Sequence, residues 1–261
     1  MILTLLLSNL AVVVGLMTAI WLLSLILRDV TIVDSFWGLG FVVIVWNTLL
    51  RSDEWTQWAV LLATMTTIWG IRLAGYLWWR NWGKPEDYRY QSLRKRFGSS
   101  FPLLSLAIVF LLQAALIWVV SLPLQTSLLN EGRTLAMPWL AIVGIVLWAI
   151  GLLFETVGDI QLARFKADQA NEGKVLDRGL WRYTRHPNYF GDFVVWWGLS
   201  MNAMALGAPL WTLIGPLVMS VLLMRVSGVT LLEAAMRERK LGYREYVHKT
   251  SAFFPRPPLS G

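Results

Sequence analysis

Seven long apolar stretches alternate with short polar ones along this chain, and that alternation predicts the fold before anything else does. Runs of about 20 apolar residues mark transmembrane helices, because the hydrocarbon core of a bilayer is about 30 Å thick. The spans predicted are Ile2 to Leu27, Ile32 to Leu50, Thr56 to Trp79, Phe101 to Leu124, Pro138 to Leu162, Tyr189 to Leu206 and Trp211 to Leu232. A tight turn at Gly207-Ala208-Pro209 joins the last two. The first span is too long for a signal-peptide core and lacks a small-residue cleavage site, so it is read as a mature helix. No domain-sized polar block and no internal repeat interrupts the series. The expectation is one all-α integral membrane domain of seven helices over residues 1–261.

Charge placement supplies the orientation. Of the 23 Lys and Arg residues, 19 fall on one side of the predicted spans; Arg51 and Arg133 lie on the other, and Arg72 and Arg225 within spans. The positive-inside rule then puts the N-terminus outside and the C-terminus in the cytoplasm. Composition agrees: 56% of the 261 residues are hydrophobic and only 15% charged, more apolar surface than a soluble domain of this length hides. The net charge of +7 is explained by this asymmetry without invoking nucleic acid. With no Cys, thiolate sites and Cys nucleophiles are excluded; with two His, His186 and His248, a metal site is not expected.

Three cytoplasmic segments are long and mixed in character. Arg80 to Tyr90 combines cations (Arg80, Lys84, Arg89), an amide (Asn81), acids (Glu86, Asp87) and aromatics including Tyr90. Arg and Lys can clamp phosphates, and Asn and Asp can bind ribose hydroxyls or a carboxamide. A headgroup anchor alone would need only the cations. The second segment opens with Glu155 and Asp159, one helical turn apart and so on one face. It continues through Lys166 and a Gly-bearing turn to Tyr183, Arg185, His186, Asn188 and Asp192, with Pro187 breaking regular structure before the sixth span. Asn188 and Asp192 again share a face. Asp192 reads either as a ligand or as compensation of a helix dipole, and His186 as a site residue or an interfacial His. The third comprises Arg225, a costly charge within a span, then Glu233 and the tail Tyr243 to Tyr246.

Two charges lie deep in the first half, Asp34 and Arg72. An ion pair between them would pin two helices. Alternatively Asp34 is an acid in a low-dielectric pocket, where burial favours its protonated, hydrogen-donating form. Glycines at 38, 40, 70 and 75 allow close helix contact or leave room for a flat apolar ligand.

At these residues the chain resembles the steroid 5α-reductase family, most closely its bacterial members of initially unknown function. The matching stretches are Asp34-Ser35-Phe36-Trp37-Gly38, Trp69-Gly70-Ile71-Arg72-Leu73, Arg80-Asn81-Trp82-Gly83-Lys84 with Glu86-Asp87 and Arg89-Tyr90, Arg178-Gly179-Leu180-Trp181 through Asp192, and Tyr243-Arg244-Glu245-Tyr246 with Phe253-Phe254-Pro255. The resemblance implies a seven-helix reductase of a bacterial inner membrane. It implies NADPH at the cytoplasmic side, within a part spanning roughly 80–261, and hydride transfer to a Δ4-3-ketosteroid or similar lipid enone.

Its cofactor residues fall on Asn81, Asp159, Asn188 and Asp192, with basic help from Arg80, Lys84, Lys166 and Arg225; Asp87, Arg89, Tyr90, Glu155, Tyr183, Arg185, His186, Glu233, Tyr243 and Tyr246 complete the candidate set. For the substrate's keto oxygen the family uses a Glu on the second span and a Tyr on the third. Asp34 stands near the first; Trp69 occupies the second, with Tyr76 the nearest phenol. No Gly-x-Gly-x-x-Gly follows a strand, so a Rossmann site is not expected. Two other readings share features of the sequence: an isoprenylcysteine-type membrane methyltransferase, which has the Arg-His-Pro-x-Tyr stretch and a related tail, and a non-catalytic sterol or lipid binder.

Overall fold

The computed structural model describes residues 2–128, 135–226 and 242–259. It is built of helices: α1 (Ile2–Leu27), α2 (Ile32–Leu49), α3 (Gln57–Asn81), α4 (Tyr88–Phe97), α5 (Phe101–Ser105), α6 (Leu112–Val120), α7 (Leu122–Ser127), α8 (Pro138–Ala167), α9 (Pro187–Ala205), α10 (Ile214–Val221) and α11 (Tyr243–Lys249). Among the described residues no strand forms beyond one isolated bridge, Thr184 to Ser251. Five helices are long and apolar enough to cross a membrane: α1, α2, α3, the run Tyr88–Val120, and α8. The protein is therefore an integral membrane protein of at least this helical content. The predicted sixth span is α9, 19 residues with Asp192 inside it. Of the predicted seventh span, residues 227–232 lie outside the described residues.

The predicted fourth span departs from a plain helix. Leu106–Leu111 is a π-helical turn between α5 and α6, and a second π turn, Leu222–Val226, follows α10. Such turns add one residue per turn and rotate the side chains that follow. Arg225 lies in the second of them and is exposed.

The chain packs as two compact units, residues 1–138 with 203–215, and residues 139–202 with 216–261. In the first unit α2 and α3 pack tightly because two glycines meet. A methyl group at Gly38 would lie 2.6 Å from the Gly70 carbonyl oxygen. Gly40 receives the Ile117 side chain instead, while nothing approaches Gly75 within 4 Å. A buried polar clasp ties α1, α2 and α7: the Asn9 amide donates to Thr48 at 2.8 Å and to Gln125 at 3.0 Å, and Asn47 donates to Asn9 at 2.6 Å. Where water is absent, such groups must satisfy one another.

In the second unit α8 and α9 run antiparallel with their backbones in contact. Gly144, Gly151 and Gly158 recur every seven residues on α8, and Gly191 and Gly198 do so on α9. Seven residues are close to two turns, so each set forms one ridge. A methyl at Gly151 would sit 2.6 Å from the Gly191 oxygen, and one at Gly198 2.7 Å from the Gly144 oxygen. Glycine is required here by backbone approach, and the result is that the polar ends of the two helices are fixed in register.

Candidate functional site

Each unit carries a cluster of polar side chains at the ends of its apolar helices. In the first, the segment between α3 and α4 folds back on the junction between α1 and α2. Arg28 turns that junction with a positive φ of 55°. The Val30 amide donates to Glu86 at 3.0 Å and the Asp87 amide to the Thr31 hydroxyl at 2.8 Å. Arg94 grips both Glu86 oxygens at 2.9 Å, the bidentate geometry guanidinium favours. Asp87 caps α4 by accepting from the Arg89 amide at 3.0 Å, and pairs with the Arg89 side chain at 2.9 Å. Burial disfavours the charged forms of Glu86 and Asp87, but the hydrogen bonds from Arg94 and Val30 to the one, and from Arg89 to the other, outweigh it and hold both carboxyls below their ordinary values.

Asp34, in the first turn of α2, meets this belt. Its two oxygens accept from Arg89 at 2.6 Å and from the Tyr90 phenol at 2.7 Å. The partners are thus Arg89 and Tyr90, where spacing alone had suggested Arg72. With both oxygens accepting, Asp34 is placed as an acceptor in this network and not as a hydrogen-bond donor. Three residues expected at a cofactor, Asp87, Arg89 and Tyr90, take part in this network. Trp69 is fully buried and packs edge-on against Phe41, ring centres 5.6 Å apart, which makes it part of the α2–α3 core. Tyr76 lies lower on α3, its ring 5.5 Å from the Arg72 guanidinium and 5.9 Å from that of Arg80.

Arg80 donates to the Asn81 side-chain Oδ1 at 3.2 Å, but the Asn81 side-chain Nδ2 is buried and reaches no acceptor among the described residues. A buried donor without an acceptor costs about 1–3 kcal/mol, so this atom fits a ligand acceptor. Lys84 is exposed on the turn after α3.

In the second unit the glycine ridge brings the expected residues together. Glu155 and Asp159 are both 3% exposed on α8, and Asp192 is 9% exposed on α9. Gly158 lies against Asn188, whose amide donates to Asp159 at 3.0 Å. His186, buried, stacks on Tyr189 with ring planes 7° apart. Lys166 is exposed in the last turn of α8. Buried acids beside a primary amide form a donor and acceptor set for hydroxyls, an amide or a cationic group.

The remaining candidates serve the tail. Arg185 donates to the carbonyls of Val247 and Thr250, and Tyr246 to the Trp181 carbonyl. Tyr243 is buried beside Tyr246, rings 6.0 Å apart, and Tyr183 is exposed, its carbonyl accepting from the Arg256 amide. These residues strap α11 and the tail to the turn before α9. Glu233 lies outside the described residues.

Two residues were missed by sequence reasoning. Trp196 and Ser200 continue the four-residue spacing of Asn188 and Asp192 along α9, and both are buried. Among the described residues the Ser200 hydroxyl reaches no partner, unlike those of Thr48, Thr66, Ser121 and Ser220, each of which bonds the carbonyl four residues earlier. Extending the spacing from Asp192 by two turns would have found them.

Comparison with known proteins follows the same outline. The chain is 43% identical over 65 residues, 25% of its length, to the probable O-methyltransferase ustE of Ustilaginoidea virens, of which it covers only 22%. It is 26% identical over 247 residues, 85% of its length, to an uncharacterized protein of Schizosaccharomyces pombe, of which it covers 67%. No solved structure matches it. Residues 20–250, nearly the whole membrane-embedded chain and both polar clusters, match one family throughout, and the chain belongs to that family, DUF1295, described as proteins of unknown function.

Proposed function

We propose that this protein is a membrane-embedded reductase that uses NADPH to saturate the C=C bond of a Δ4-3-keto steroid or similar lipid enone. In this reading it spans a bacterial inner membrane seven times with its N-terminus outside. The observation that carries the reading is the buried Asp159–Asn188 pair with Glu155 and Asp192 around it. The relation of the family to steroid 5α-reductase-like proteins supports it.

Bound there, the reduced dinucleotide would supply the hydride. Glu155, Asp159, Asn188 and Asp192 would orient its hydroxyl and carboxamide groups, and Lys166 would meet its phosphates. As an enone's β-carbon is reduced, negative charge builds on its carbonyl oxygen, and a donor placed there lowers the barrier. Tyr76, whose ring lies near two guanidinium groups, offers a phenol donor. Asp34, already accepting twice, acts by holding Arg89 and Tyr90.

The similarity to ustE favours a second reading, a methyltransferase using S-adenosylmethionine, whose cationic groups would also suit buried acids. Thermal-shift titration of the detergent-solubilised chain separates the two. NADPH is expected to raise Tm more than NADH does; a ligand at 100 times its Kd stabilises by about 2.7 kcal/mol. Asp192→Ala should abolish the shift. Stabilisation by S-adenosylmethionine alone would replace the reductase reading. Product chromatography with an enone such as progesterone then tests turnover.

A further inference from the structure

The polar end of α8 has a second face that the candidate cofactor cluster does not use. Glu155, Asp159 and Lys166 share one side of the helix. At 100° per residue, Arg164 stands about 140° and Gln161 about 200° around the axis from Asp159. A cleft of about 340 Å³ opens on that opposite side, lined by Gln161, Arg164, Phe165, Asp168, Asn171 and Arg178.

The charges in the cleft are unbalanced. Arg164 and Arg178 are exposed, and neither forms an ion pair among the described residues. Arg178 is held over the Phe165 ring at 5.9 Å. The one acid, Asp168, has its two oxygens occupied by the Ala170 amide at 2.9 Å and the Asn171 side chain at 3.3 Å. Gln161 accepts from the Leu180 amide at 3.0 Å, and Gly179, with φ of 63°, leaves space for its side chain. The turn that carries Arg178 is thereby pinned to the helix that carries Arg164. A larger groove of about 790 Å³ by the tail differs: Glu172, Asp177 and Glu245 there offset Lys174, Arg182 and Lys249.

Depth identifies the surroundings. α8 has 30 residues, about 45 Å at 1.5 Å each, and the hydrocarbon core is about 30 Å thick. The predicted span ends at Leu162, two residues before Arg164, which puts Arg164 at the level of lipid phosphates. Two guanidinium groups lining one cleft, without an ion pair among the described residues, supply the kind of donors a phosphate accepts.

We propose that this cleft binds the phosphate of an anion, supplied by an acidic phospholipid headgroup or by free phosphate. The site is independent of the reductase reading, since it lies on the other face of α8. The test is native mass spectrometry of the detergent-solubilised full chain with phosphatidylglycerol, phosphatidylcholine or inorganic phosphate as probe. The R164Q/R178Q variant is compared with the unaltered chain. Both side chains are exposed, and circular dichroism checks that the variant keeps its helicity.

Saturable binding of phosphatidylglycerol, at least tenfold tighter than phosphatidylcholine and weakened at least tenfold in the variant, is the expected result and assigns a lipid source. Saturable binding of inorganic phosphate, lost in the variant, also supports the site and assigns a soluble source. Equal binding of every probe by the two proteins overturns it. The NADPH-induced thermal shift should be the same in both proteins; its absence from both bears on the reductase reading and leaves the phosphate result standing.

Discussion

Glu86 shows how an acid in a polar segment can be engaged in architecture. Among the polar residues from Arg80 to Tyr90 it looks available to a ligand, yet it takes the Val30 amide and both arms of Arg94. Its carboxyl and that of Asp87 titrate below their ordinary values of 4.5 and 3.8. For depressed carboxyls the stabilisation is complete above the unfolded value and is lost as pH falls through the folded one. Thermal unfolding in detergent should therefore lose several degrees as pH falls below about 4.5. Glu86→Gln should lower Tm at pH 7, by about 1–2 kcal/mol of stability given the half-exposed Arg94. It should also flatten the acid dependence. An unchanged acid limb in the variant would show that other groups dominate. The same contrast governs Asp34: its position at the start of a span stood out, but neither its accepting role nor its partners were legible. Arg89 is 55 residues away and arrives only because the turn after α3 doubles back.

At the scale of elements, the apolar runs read well because lipid demands continuous helices. The boundaries of α1, α2 and α3 fall within three residues of expectation. The π turn at Leu106–Leu111 was not legible, since a local change of hydrogen bonding leaves hydrophobicity untouched. Glycines on α2 and α3 were read as allowing close contact or leaving room for a ligand; at Gly38 and Gly70 backbones meet, and Gly75 has open space beside it. The ridge on α8 and α9 escaped notice, although its seven-residue spacing is present in sequence. Gly191→Val should disrupt the helix pair, since even a methyl there would lie 2.6 Å from the Gly151 oxygen. The expected cost is about 3 kcal/mol or more. Gly75→Ala, with nothing within 4 Å, serves as the neutral control in the same Tm measurement.

For the whole molecule, orientation is the sharpest consequence of charge placement. The chain has no Cys, so single cysteines can be introduced without a background. In sealed inverted membrane vesicles, Lys84→Cys should react with an impermeant maleimide and Ser52→Cys should not; right-side-out cells should give the reverse. Labelling of both from one side would refute the proposed topology. Composition and charge were sufficient for membrane residence and for locating the polar clusters at helix ends. They were insufficient for deciding which polar groups serve a ligand and which hold the fold, because that division depends on long-range pairs such as Asn188 with Asp159.

The interlocked backbones of α8 and α9 also set how this protein can change over time. Deleting one residue between Gly144 and Gly158 would turn the segment on one side of the deletion by about 100° relative to the other. Either a ridge is broken or Glu155 and Asp159 swing away from α9, although hydrophobicity, length and charge are almost unaltered. Point substitutions on the lipid-facing side should accumulate freely, whereas insertions and deletions in these two helices should be purged; a deletion scan scored for folded protein would reveal that asymmetry.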